Sequence, residues 1–139
     1  MKRKLGLDIG DVRIGISVSD LLGMIANPRE SYCRSGEEKD MDYLSALIKT
    51  EDADTVVIGL PVNMNGTEGR RAELVRDFGG KLKEYLPESV KIVYQDERLS
   101  TVAAEKVLIS ADVRRDKRKQ VIDKVAACII LQSFLDRRA

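Results

Sequence analysis

The sequence predicts an α/β fold: one mixed five-stranded sheet, strand order 3-2-1-4-5, with helices on both faces. Three observations predict it. Three strand-like runs come first, at 4–8, 13–19 and 28–33, and then helix-period and strand-like segments alternate. A continuous apolar run, TVVIGL at 55–60, has the character of a parallel strand buried on both faces. Right-handed crossovers from that point set the later strands parallel to the first, on the side away from the opening meander.

Lys4 to Asp8 reads as a short apolar strand, and Gly10 with Asp11 signals a turn. Arg13 to Ser19 (RIGISVS) alternates and is rich in β-branched residues, so it returns beside the first strand as a hairpin. Pro28 to Cys33 is a third strand, placed at an edge because Pro28 has no N–H for a ladder bond. The period then changes. Met41, Leu44, Leu47 and Ile48 recur at helical spacing, giving a helix over 38–51. After TVVIGL and a loop, a helix over 68–86 carries Leu74, Phe78, Leu82 and Leu86 at i, i+4 spacing, with Thr67 as its N-cap and Pro87 as its stop. KIVYQ at 91–95 is the fifth strand. Ser100 is placed to cap a short helix over 101–109, residues 114–119 form a charged connector, and 120–136 is a final helix, apolar on most sides. The chain of 139 residues suits a single domain spanning 1–139, without internal repeat or linker.

Composition removes whole chemistries. There is no His, so Ser-His-Asp and Cys-His catalysis and His-containing zinc sites are excluded. With no Trp, two Phe and four Tyr, a base-stacking platform is thinly supplied. A net charge of +1 excludes a uniformly basic coat, although residues 98–139 hold ten Lys and Arg against five Asp and Glu. Cys33 and Cys128 have no CxxC spacing and are expected to be buried thiols in a reducing cytoplasm. No apolar run approaches the roughly 20 residues of a membrane span, and the first residues lack a signal peptide's apolar stretch. A cytoplasmic protein without a membrane partner is expected. Abundant carboxylates without His favour magnesium or manganese over zinc.

Three places in the chain offer acids for such a cation. Asp8 lies in an apolar strand between Gly6 and Gly10, where an unpartnered carboxylate is costly and a ligand can approach closely; the bland alternative is a turn cap. Asp96 and Glu97 end the fifth strand, on the rim where parallel strands present their carboxyl ends, and Arg98 follows, suited to a phosphate or to a surface contact with Asp96. Asp123 shares a helical face with Ala127, Ile130 and Phe134, and a pair with Lys119 or Lys124 is its bland alternative. A strand acid, a strand-end acid and a helix acid form an all-oxygen set for one or two divalent ions, a device for phosphodiester hydrolysis that needs no His.

Phosphate contacts have their own candidates. The loop PVNMNGTEG brings Asn63, Asn65, Gly66 and Thr67 to the same rim, ahead of a helix N-terminus with free N–H groups. Arg70 and Arg71 stand in that helix's first turn, against the dipole preference. Arg114, Arg115, Lys117, Arg118 and Lys119 make the densest basic run, either a solvated linker or a phosphate-contacting patch. Two phosphate-loop readings fail. Ile16 stands where a P-loop needs Lys, and Asp8 occupies the second Gly of a dinucleotide fingerprint.

The blocks LGLDIGDVRIGISVSD, VVIGLPVNMNGTEG, DERLSTVAAE and KRKQVIDKVAACIILQSFLD occur in order from Leu5 to Asp136. Together they resemble the YqgF family, the Holliday-junction-resolvase-like branch of the RNase H-like superfamily, whose members are described as nucleases for the precursor of small-subunit ribosomal RNA. The resemblance implies an RNase H-like nuclease domain in a bacterial cytoplasm, acting on structured nucleic acid and on ribosomal precursor particles. It implies that Asp8 is the first-strand acid, Glu97 the acid of the DER block and Asp123 the acid of the last helix, holding Mg2+ or Mn2+. The VVIGLP strand carries no acid, so Glu97 stands one strand further from Asp8, about 4.8 Å, a gap for its longer side chain to bridge.

The expected activity is metal-dependent hydrolysis of RNA, at the 5′ end of pre-16S ribosomal RNA. Asn63 to Gly69, Arg70, Arg98 and the 114–119 run are expected to grip phosphates. Cleavage of branched DNA uses the same acids. A non-catalytic ribosome-assembly module is a third possibility. Nucleotide phosphotransfer, suggested by the D-x-G of Asp8 to Gly10, lacks the second lobe that would close on a nucleotide.

Overall fold

The computed structural model describes residues 2–99 and 115–138, with side chains described at 2–98 and 124–137. Strands β1 (Arg3–Ile9), β2 (Arg13–Ser19) and β3 (Ala26–Cys33) form an antiparallel meander. Helix α1 (Glu37–Thr50), strand β4 (Ala53–Leu60), helix α2 (Arg70–Glu84) and strand β5 (Lys91–Asp96) follow. A 3-10 turn (Glu97–Leu99) closes β5, and the last described element is helix α3 (Arg115–Arg138). The sheet order is β3-β2-β1-β4-β5, with β4 and β5 parallel to β1. This is the topology expected from one hairpin followed by right-handed crossovers.

The two faces of the sheet differ chemically, and the period of two explains why. Leu5, Leu7 and Ile9 of β1, Ile14 and Ile16 of β2, and Val56, Ile58 and Leu60 of β4 alternate onto one face. There they bury against Met41, Leu44 and Ile48 of α1 and Val75, Phe78 and Leu82 of α2. The other face, under α3, carries small and polar residues: Gly6, Asp8, Ser17, Ser19, Gly59 and Gln95. Against it α3 buries Ala126, Ala127, Ile130, Leu131 and Leu135. The small residues let the helix come close. A Cβ added at Gly6 would stand 2.7 Å from Leu131 Cβ and 2.8 Å from the Ala127 carbonyl oxygen, and Ser17 Oγ donates to that carbonyl at 2.8 Å. At the far end of the helix, Gln132 accepts from Ala26 N at 2.8 Å and donates to Met24 O at 2.9 Å, fixing α3 to the start of the edge strand β3.

Three expectations need correction. Helix α2 begins at Arg70, and Thr67 is not its cap: Thr67 Oγ1 donates to Asn65 Oδ1 at 2.6 Å, so the hydroxyl closes the preceding turn. The segment Arg115 to Lys119 is the first turn of α3 and not a connector, because Arg and Lys are good helix formers that an apolar period does not register. Cys33 is exposed, at the end of an edge strand, while burial pushes the Cys128 thiol up to about 11. The expected helix over 101–109 and its Ser100 cap lie outside the described residues. Among the described residues, no helix is long and apolar enough to cross a membrane.

One buried cluster holds the rim together. Asp40 in the first turn of α1 accepts from Tyr32 Oη and Ser35 N, each at 2.8 Å, and from Arg34 Nε at 3.2 Å. Arg34 also donates to Gly10 O at 2.8 Å, tying α1 to the β1–β2 turn next to Asp8. Burial works to raise the Asp40 carboxyl, but the hydrogen bonds from Ser35, Tyr32 and Arg34 outweigh it and leave its pKa below the usual carboxylate value. A depressed folded-state pKa contributes stability that is complete above the unfolded value near ~3.9 and is lost as pH falls through the folded value. Asp40→Asn is expected to lower unfolding free energy at neutral pH by about 2 kcal/mol and to flatten the acid limb of the stability curve, measured by urea denaturation from neutral pH down to acid.

Candidate metal and nucleic-acid site

Asp8 is two residues beyond Gly6 on β1 and therefore shares its face, toward α3. It is 7% exposed. A carboxylate at that depth needs polar company, and neither Asp8 nor Glu97 is without a partner. The β1–β4 register pairs Leu7 with Ile58, so the next step sets Asp8 beside Gly59. The β4–β5 register pairs Gly59 with Gln95.

Gly59 is where the second acid arrives. A Cβ added there would stand 2.8 Å from Glu97 Oε1 and 3.0 Å from Ile130 Cγ1. Glu97, on the turn after β5, thus folds back across β4 on the α3 side, and its oxygen shares with Ile130 Cδ1 the space that a side chain at 59 would fill. Asp8 and a Glu97 oxygen stand over neighbouring strands of one face, about one strand spacing apart. The missing side chain at Gly59 closes the gap left by an acid-free β4.

Asp96 takes a different part. Tyr94 packs on Gly79 of α2, so Asp96, two residues on, belongs to that opposite side. It accepts from Arg98 N and Arg98 Nη2, each at 2.8 Å. The Arg98 guanidinium holds its carboxyl below the usual carboxylate range. Position 123 falls one helical turn before Ala127, in the half of α3 that runs from the Gln132 anchor toward the Asp8 rim; the Asp123 side chain lies outside the described residues. Among the described residues, no group of three His, Cys, Asp or Glu side chains is placed to hold a metal.

The β4–α2 loop is internally locked on the same rim. Asn63 N donates to Thr67 O at 2.9 Å, Gly66 N to Asn63 O at 2.8 Å, and Asn63 Nδ2 to Thr67 Oγ1 at 3.0 Å. Gly66 has φ 91°, which explains a glycine at the tip. Arg98 Nη1 donates to Met64 O at 3.4 Å, which links the loop to the DER block. Asn63, Asn65, Gly66, Thr67 and Arg70 are all exposed. The first turn of α2 has no side-chain cap, leaving its N–H groups open to an anion. Arg71 pairs with Asp11 at 3.5 Å. Glu68 takes a two-pronged bond from Arg76 at 2.6 and 2.8 Å, and Arg76 lies 4.9 Å over the Tyr94 ring. In the basic run, Arg114 lies outside the described residues, as do the side chains of Arg115, Lys117, Arg118 and Lys119; the last four begin α3. A cavity of about 530 Å3 opens between α1 and α2 beside Gly10, lined by Asp11, Arg34, Arg71 and Lys81, on the face away from Asp8.

Sequence reasoning missed two residues at this rim. Gly59 hid inside an apolar run. Gln95 carried the same signal as Asp8, a polar residue in an apolar strand, and is 6% exposed.

Known proteins resemble this chain in sequence and in fold. A protein of Lactococcus lactis subsp. cremoris strain SK11 is 52% identical over 139 residues, covering 99% of this chain and 96% of its own. One of Heliobacterium modesticaldum is 48% identical over 137 residues, covering 99% and 91%. Both carry the provisional name pre-16S rRNA nuclease. Among solved structures, Thermus thermophilus RuvC in complex with Holliday junction substrate matches with a TM-score of 0.63 at 13% identity, covering 99% of this chain and 96% of its own. Another structure of Thermus thermophilus RuvC matches at 0.53 and 11%. With the sheet order, this likeness makes the fold RNase H-like. A family model described as RuvX, Holliday junction resolvase, matches residues 2–137, and the chain belongs to that family.

Proposed function

We propose that this chain is a divalent-cation-dependent nuclease that hydrolyses phosphodiester bonds in structured RNA, trimming the 5′ end of the precursor of 16S ribosomal RNA. One observation supports the cation site above all: Glu97 Oε1 stands over the side-chain-free position Gly59, beside Asp8, on one face of the sheet. The donors are all oxygen and a buried carboxylate is among them, which suits Mg2+ or Mn2+. Asp8 and Glu97, joined by Asp123 from α3, would hold one or two such ions. When bound, a hard cation of this kind polarises the phosphate and activates a water for attack.

The chain's own residues do the rest. Ile130, fully buried, packs over Gly59 beside the Glu97 oxygen and would shield that carboxylate on the helix side. The loop from Asn63 to Gly69, the open N–H groups of α2, Arg70 and the 114–119 run would take phosphates on either side of the scissile bond. Arg98 is held by Asp96 and by the loop carbonyl, so its part is to brace the rim, with one edge left for a phosphate. Contacts of this type read the backbone, and target choice then rests on the shape of the nucleic acid. The names of the full-length relatives support ribosomal precursor RNA, and with it ribosomal precursor particles as partners in the cytoplasm. The family description and the RuvC–junction complex support a second reading, cleavage of branched DNA by the same acids.

The test uses the purified chain with a 5′-extended 16S precursor and a four-way DNA junction, in EDTA, Mg2+ or Mn2+. Cation-dependent shortening of the RNA, undiminished by equimolar junction, is the expected result. Preferential cleavage of the junction transfers the assignment to a resolvase. Failure to cut either substrate in any cation leaves a non-catalytic binding module.

A further inference from the structure

We infer that Gln95 is a positioning residue for Glu97: in the cation-loaded protein its Nε2 donates to the Glu97 carboxylate and holds it in the rotamer that faces the cation. The inference rests on the cation site proposed above. Gln95 is 6% exposed, and its Nε2 has no hydrogen-bond partner among the described residues. An unmade hydrogen bond in the interior is destabilising, and an apolar side chain of the same size would avoid it. The face and the register locate the acceptor. Tyr94 lies toward α2, so Gln95 lies toward α3, and it pairs laterally with Gly59. The space over Gly59 is shared by Glu97 Oε1 and the Ile130 side chain. Adjacent strands are about 4.8 Å apart, a distance that a Gln side chain spans. An orphaned donor therefore sits beside the carboxylate whose orientation matters most. A carboxylate that turns one oxygen to a cation leaves lone pairs for an amide donor, and second-sphere donors of this kind fix the orientation of ligating carboxylates.

Gln95→Met keeps the length and volume and removes the donor. Mn2+ affinity, measured by calorimetry on the cation-free full chain, is expected to fall about tenfold. The melting temperature of the cation-free variant is expected to stay level or rise, since the unmade bond is gone. Cleavage lost at limiting Mn2+ is expected to return at high Mn2+. Gln95→Leu repeats the test with a second shape. Wild-type Mn2+ affinity in both variants overturns the role of Gln95 alone. A lower cation-free melting temperature in both also overturns it, because the residue would then serve the fold. A wild-type chain that binds no Mn2+ overturns the cation site itself, and the Gln95 inference with it.

Discussion

Replacing Asp8 by Asn is expected to cut phosphodiester cleavage at least about a hundredfold, because a ligated cation supplies several kcal/mol to the transition state and each ~1.4 kcal/mol is a factor of ten. Asn keeps the shape and one acceptor oxygen but not the charge. Asp8 is 7% exposed, and Asn fills the same volume and keeps hydrogen-bonding capacity there, so the fold is expected to hold. RNA affinity is expected to persist, because the candidate phosphate contacts lie on the 63–69 loop, the first turn of α2 and the start of α3, and not on β1. Single-turnover cleavage and filter binding, run on the same preparation, separate the two effects. A variant that cuts as well as wild type in magnesium buffer would show that Asp8 only terminates the strand. A variant that loses binding and cleavage together would move Asp8 from chemistry to recognition.

The sheet was legible because its two halves announce themselves in different periods. RIGISVS alternates, TVVIGL does not, and the contrast separates an antiparallel hairpin from parallel crossover strands. Boundaries were less legible where polar residues compete for the backbone. Thr67 looks like a cap, but Asn63 and Asn65 capture it in a turn, and α2 waits until Arg70. The first turn of α3 is written in Arg, Asp and Lys, which an apolar period cannot see. In the site, Asp8 stood out because a charge in an apolar strand demands a reason. Glu97 was harder, since its relation to Asp8 depends on register across β4 and on the absence of a side chain at one position. A glycine inside VVIGL has several meanings, and only the packing of α3 against that face selects one. Gln95 was passed over because a neutral amide at a strand end looks harmless until its burial and lack of a partner are known.

The same small substitution at two glycines of this face is expected to fail in opposite ways. In Gly6→Ala the new methyl meets Leu131 Cβ at 2.7 Å and the Ala127 carbonyl at 2.8 Å, and it crowds the Ser17 hydroxyl that donates to that carbonyl. The helix backbone cannot swing aside, so α3 must lift from the sheet, at a cost of about 3 kcal/mol and roughly 10 °C in melting temperature. In Gly59→Ala the methyl meets Ile130 Cδ1 first, then Glu97 Oε1 at 2.8 Å and Ile130 Cγ1 at 3.0 Å. Ile130 Cδ1 and Glu97 Oε1 are the far ends of side chains, not backbone, so stability is expected to fall by about 1.5 kcal/mol, less than in Gly6→Ala. The carboxylate, however, is displaced from beside Asp8, and a misplacement near 1 Å costs about a hundredfold in rate. Melting curves and single-turnover cleavage on both variants give a crossed pattern: Gly6→Ala loses mainly stability, Gly59→Ala mainly cleavage. If Gly59→Ala cuts normally, Glu97 does not work from the space over Gly59, and the second acid of the site has to be sought elsewhere on the rim.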